Sequence, residues 1–184
     1  MTGEIVPDTK NWTWVLERPC PDCRYDGPAF DVALSGTALR DLGARWQQVL
    51  LRADVSVRPR PDKWSPLEYS CHVRDVFLLF DQRLALILAE DEPNFENWDQ
   101  DRTAIEDDYA SQVATQVSAE IDVAAQALAD RFDSVLPEQW SRRGFRSDGS
   151  AFTVETLSKY LMHDPVHHLW DVAAETPRFD EEIG

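Results

Sequence analysis

Apolar residues recur at three- and four-residue steps in four stretches of the chain, and each stretch predicts an amphipathic helix. The first begins near Ser35 and carries Leu39, Leu42, Trp46, Val49 and Leu50. The prolines of RADVSVRPRPDKW then break the pattern. The second helix opens on SPLE: Ser65 is placed as N-cap, Pro66 takes the first helical position and Glu68 closes a capping box. Its stripe runs Val73, Val76, Phe77, Phe80, Leu84, Ile87 and Leu88. After the polar loop EDEPNFENWDQDRTAIEDD, a third stripe carries Val113, Val117, Ile121, Ala124, Leu128 and Phe132, stopping near Leu136-Pro137. The stretch SRRGFRSDGSAF reads as turn formers. A fourth helix starts near Thr153 with Val154, Leu157, Tyr160 and Leu161; Tyr160 and Trp170 are read as core.

No stretch makes a convincing strand, so the pattern predicts an all-α fold, a four-helix bundle over residues 31–176. Residues 1–30, rich in Pro, Asp and Trp, predict an irregular N-terminal arm, and 177–184 a C-terminal tail. Loops of about fifteen residues are long for a bundle, and such loops are often functional.

Composition narrows the function classes. The chain has 184 residues, 43% of them apolar, with seven tryptophans, which suits one folded domain. Thirty-four acidic against eighteen basic residues give a net charge of −16. A surface that acidic repels phosphate backbones and anionic lipid headgroups, so neither nucleic acid nor membrane is expected as a partner. No basic segment followed by an apolar run suggests a secretory leader, and no apolar run reaches a membrane span. Three cysteines, an odd number, point to free thiols or metal ligands in a reducing, cytoplasmic setting.

Three of the four histidines fall within HDPVHHLWD, residues 163–171. His163 and His167 are four apart, a spacing that lets two imidazoles converge on one metal ion. His72, alone in the second helix, lies on the flank that carries Glu68 and Asp75 and would supply a third nitrogen. The helical wheel offers a competing pair: extending the Leu157/Leu161 stripe leads to Asp164 and His168. Pro165 interrupts the helix between these residues, either kinking it or opening a fresh segment capped by Asp164. The residues alone leave both pairs open.

Cys20 and Cys23 form PCPDC, a spacing for a metal knuckle or a dithiol. Reduced thiols are the plainer reading, because a zinc ribbon needs a second such pair. A pair tucked against the bundle or shared across a homodimer stays open. Cys71 adjoins His72, but consecutive helical residues diverge by about 100°, which argues against joint ligation. The long loop after the second helix offers Asp99 and Arg102 to a substrate if it folds over the metal. Glu68, one turn before His72, is a candidate to orient that histidine or accept a proton.

WSPLEYSCH in the second helix and HDPVHH near the C-terminus together resemble the DinB-like (YfiT-like) superfamily, over about residues 35–174. NWDQDRTAIEDDY and PCPDC are similar to its actinobacterial branch. By position, the resemblance implies His72, His163 and His167 as ligands of one divalent ion, Zn²⁺ or Ni²⁺, in a four-helix bundle. Pro165 departs from the leucine-like residue of that pattern. The resemblance further implies a metal-dependent thiol S-transferase or isomerase acting on a small electrophile, with a low-molecular-weight thiol such as mycothiol or bacillithiol as co-substrate. A metal-dependent hydrolase and a non-catalytic metal- or ligand-binding module are the alternatives.

Overall fold

Four long helices form the body of the protein: α1 (Ser35–Leu50), α2 (Pro66–Ala89), α4 (Ala114–Asp133) and α5 (Val154–Asp171). A short α3 (Gln100–Glu106) lies between α2 and α4. This computed structural model describes residues 11–174 together with Ile5, Thr176, Pro177 and Phe179. The expected arm is therefore described from residue 11, apart from Ile5. The expected tail lies outside the described residues except at Pro177 and Phe179.

The apolar stripes point inward as the periodicity predicts, apart from Val113, which is exposed just before α4. Leu39, Leu42 and Trp46 of α1, Phe77, Leu84 and Ile87 of α2, Ile121 and Leu128 of α4, and Leu157 and Leu161 of α5 are all buried. Close approach of α1 to α4 depends on Gly43, where an added Cβ would stand 2.8 Å from the Cβ of Ala125. At the rim of that contact Arg40 donates to Asp133 at 2.9 Å. The capping box at the start of α2 is formed as expected: the Ser65 N–H donates to Glu68 Oε2 at 2.8 Å, and the Glu68 N–H to Ser65 Oγ at 3.3 Å.

Three features differ from the sequence reading. First, SRRGFRSDGSAF is a hairpin of β2 (Arg143–Arg146) and β3 (Ala151–Thr153), and β1 (Asn94–Phe95) pairs with β2 in parallel. Strands of two to four residues are too short for their alternation to register as a period. Gly144 permits this small sheet to lie against α2, since a Cβ there would meet Ile87 at 2.7 Å. Second, the acidic loop contains α3, capped by Asp99. Third, Trp170 is 45% exposed rather than core, because it faces out where α5 ends.

Pro165 lies inside a continuous α5 and starts no new segment. The buried indole of Trp46 donates to its carbonyl at 3.2 Å, tying α5 to α1 at the interrupted turn. Among the described residues no helix is long and apolar enough to cross a membrane.

Candidate metal centre

α5 carries two ligand pairs one residue out of phase, and the bundle gives each pair different company. Asp164 and His168 face His72 of α2, and one donor atom from each of the three lies within 4.8 Å of the other two. His163 and His167 face the N-terminal arm, where they meet Cys20 and Cys23 within the same limit. The three histidines matched by position thus divide between two groups: His72 stands with Asp164 and His168, while His163 and His167 stand with the cysteines. The phase of α5, unbroken through Pro165, decides this, and it follows the Leu157/Leu161 stripe.

In the first group His72 Nε2 lies 3.2 Å from Asp164 Oδ1 and 3.3 Å from Oδ2. His168 Nε2 lies 3.8 Å from Asp164 Oδ2. A nitrogen and an oxygen bound to one ion at about 2.0–2.2 Å, at a tetrahedral angle, stand about 3.4 Å apart, so the donors are already near ligand spacing. His168 Nδ1 donates to Asp171 Oδ2 at 2.9 Å, which fixes the tautomer and leaves Nε2 as the lone-pair nitrogen. Asp171 is itself held by Lys63 at 3.1 Å. The His72 ring is fully buried, stacked on Trp98 at 5.3 Å and flanked by Trp64 at 5.6 Å.

Burial alone would raise the Asp164 carboxyl, but His72 and His168 outweigh it and hold the group well below the usual carboxylate range. Burial, reinforced by His167, pushes His163 down to about 4, so its imidazole is neutral at pH 7. Three polar atoms around these groups are buried without a hydrogen-bond partner: His72 Nδ1, Asp164 Oδ1 and His163 Nε2. Such atoms ordinarily find partners, and a site for a cation is one reason for them not to.

Asp164 and His168 open onto a cavity of about 930 Å³, as do His163 and His167, and its wall includes Trp12, Trp64, Trp98, Arg83 and Arg146. That size suits a small organic molecule. Arg83 was not singled out by sequence reasoning, although a cation between Phe80 and Leu84 of an apolar stripe is a readable signal. It is 5% exposed and stacks over Phe95 at 4.9 Å. One Nη donates to the Glu96 carbonyl at 2.8 Å, while its Nε is buried without a partner. Burial and the nearby Arg146 lower its pKa to about 10, so it stays cationic. Asp171 was likewise missed; its position three residues after His168 was the available signal.

The remaining candidates are placed as follows. Glu68 does not line the cavity: its carboxylate accepts from Ser65 and from Arg58. Asp99 lies on the cavity rim and caps α3, accepting from the Arg102 N–H at 3.0 Å. The Arg102 side chain turns to Glu106 at 2.7 Å on the solvent side and is not on the wall. Cys71 is buried, with its sulfur 3.4 Å from Gln112 Oε1 and away from both groups.

The solved structure of YfiT from Bacillus subtilis, described as a probable metal-dependent hydrolase with an unusual four-helix bundle topology, shares the fold. The TM-score is 0.66 at 17% sequence identity, over 74% of this chain and 81% of that one. No curated protein matches the chain in sequence. The model of the DinB superfamily matches residues 38–172, from α1 to just past the end of α5, so this four-helix bundle belongs to the DinB superfamily.

Proposed function

We propose that this protein is a divalent-metal-dependent enzyme acting on a small anionic electrophile, with His72, Asp164 and His168 as the ligands. The observation that carries this reading is the convergence of those three donors, two of which, Asp164 and His168, line the cavity. Two imidazoles and a carboxylate suit Zn²⁺ or Ni²⁺ and leave coordination positions open, as catalytic sites do. Asp164 Oδ1, buried without a hydrogen bond and 3.2 Å from His72 Nε2, supports the fit. A bound ion would supply Lewis acidity, lowering the pKa of a ligated water or thiol.

The chain's own residues do the rest. Asp171 orients His168 through Nδ1. Trp64 and Trp98 enclose the His72 ring and exclude water from it. Arg83, buried and cationic, binds the anionic group of the substrate and sets its distance from Asp164 and His168. Among the described residues no cysteine lines the cavity, which supports a nucleophile brought from outside. A low-molecular-weight thiol gives S-transfer or thiol-assisted isomerisation. Water gives hydrolysis, a second reading supported by the description of YfiT as a probable metal-dependent hydrolase.

The test is a panel of small acidic electrophiles with and without thiols such as mycothiol, bacillithiol or glutathione, run on metal-loaded and metal-stripped protein. Turnover requiring metal and thiol supports transfer or isomerisation, and turnover requiring metal alone supports hydrolysis. No rate above the stripped protein would overturn the enzyme in favour of a binding module.

A further inference from the structure

The second donor group has a different character. Cys20, Cys23, His163 and His167 are 1%, 5%, 4% and 8% exposed, so all four are removed from solvent. The two cysteines lie on a tight turn: the Arg24 N–H donates to the Cys20 carbonyl at 2.9 Å and the Cys20 N–H to the Tyr25 carbonyl at 2.8 Å. Arg24 adopts φ +64° to close it, a left-handed conformation that an arginine takes only under constraint. The Tyr25 backbone N–H lies against the Cys23 sulfur, although burial outweighs it and pushes the thiol up to about 12. Across from this turn, His163 and His167 stand one helical turn apart with ring centroids 5.0 Å apart.

The one close sulfur–nitrogen distance in the group fits two ligands of a single ion as well as it fits a thiol–imidazole hydrogen bond. A sulfur at about 2.3 Å and a nitrogen at about 2.0–2.1 Å from one Zn²⁺, at a tetrahedral angle, stand about 3.6 Å apart. Cys20 Sγ and His167 Nδ1 are 3.5 Å apart. The two cysteines are not joined by a disulfide. His163 Nε2 has no hydrogen-bond partner although it is buried, the cost of which an apolar environment does not recover.

We infer that Cys20, Cys23, His163 and His167 form a closed tetrahedral zinc site, structural in role and built from donors other than His72, Asp164 and His168, with His163 and His167 on the wall of the same cavity. Two thiolates neutralise the dication, so the completed site is uncharged and suits burial. Four protein ligands leave no position for substrate, which distinguishes it from the three-donor group beside the cavity. Its effect is to fasten the N-terminal arm to α5. That arm carries Trp12, whose ring stands 5.2 Å from His163 and 5.1 Å from His167 and forms part of the cavity wall. The zinc site thus holds one wall of the pocket in place.

The experiment uses the full chain, purified without a histidine tag under reducing conditions and loaded with Zn²⁺ or Co²⁺. X-ray absorption of the zinc protein should show sulfur scattering at about 2.3 Å alongside nitrogen. The cobalt protein should show a sulfur-to-metal charge-transfer band. Cys20→Ser with Cys23→Ser should remove that band and one equivalent of metal while the ion bound through His72 remains. His168→Ala should remove the other equivalent and leave the band intact, so failure of the cavity site and failure of this one are told apart. The wild-type measurement needs no variant to fold. Absence of sulfur scattering in metal-loaded wild-type protein, or recovery of Cys20 and Cys23 as a disulfide under these conditions, overturns the inference.

Discussion

His167 and His168 are consecutive residues, yet their rings lie at 79° to each other with centroids 6.0 Å apart, and each belongs to a different donor group. The divergence of about 100° per helical residue directs one toward the arm and the other toward α2. His168→Ala should therefore lower metal affinity at the cavity site by a hundredfold or more and spare the cysteine-containing site. His167→Ala should do the reverse. Parallel titrations with Co²⁺, read by absorbance, separate the two; equal losses in both variants would contradict the division.

Asp171 touches both rings, at 2.9 Å from His168 Nδ1 and 3.9 Å from His167 Nε2. Asp171→Asn keeps the volume but weakens the acceptor that sets the His168 tautomer. Affinity at the cavity site should fall by about 10–100-fold, the usual loss when a residue orienting a ligand is changed. Isothermal titration on the variant checks this.

Arg83 makes a prediction in which stability and function part company. Arg83→Met removes a buried guanidinium whose Nε has no partner and keeps the apolar stem, so thermal stability should hold or rise. KM for an acidic substrate should rise tenfold or more, about 1.4 kcal/mol of lost binding, with a smaller change for a neutral analogue. A matching loss for both substrates would place Arg83 outside substrate recognition.

Glu68 predicts an acid limb in stability. Burial would raise its pKa, but hydrogen bonds from Arg58 and Ser65 outweigh that and hold it below its ordinary value. The unfolded chain therefore binds the proton more readily than the folded one. The resulting stability is fully present above the ordinary glutamate value, about 4.3, and is lost as pH falls through the depressed one. Glu68→Gln should flatten that limb in urea melts between about pH 5 and 3 and cost about 1–2 kcal/mol at neutral pH. Ser65→Ala should cost about 1 kcal/mol through the same cap.

Much of this was legible in the sequence for one physical reason: long helices repeat their pattern often enough to be read. The stripes Leu39-Leu42-Trp46 and Val117-Ile121-Leu128 gave the bundle, and SPLE gave the start of α2 to the residue. Strands of two to four residues carry no such repetition, and the hairpin around Gly149 went unread. The donor residues were legible as types but not in their grouping. That grouping depends on whether Pro165 shifts the phase of α5 and on where the arm crosses it. Neither is a local property: the tie from Trp46 to the Pro165 carbonyl spans 119 residues.

The contact between Cys20 and His167 spans 147 positions of chain. On a ribosome the arm emerges well before α5, so one wall of the pocket waits for the helix it closes on. Contacts of such separation slow folding, because the chain between them must be ordered before the contact repays it. The two cysteines are thus exposed to oxidation in the nascent chain for longer than any other part of either site. Whatever guards these thiols during translation governs how much of the protein reaches its finished form.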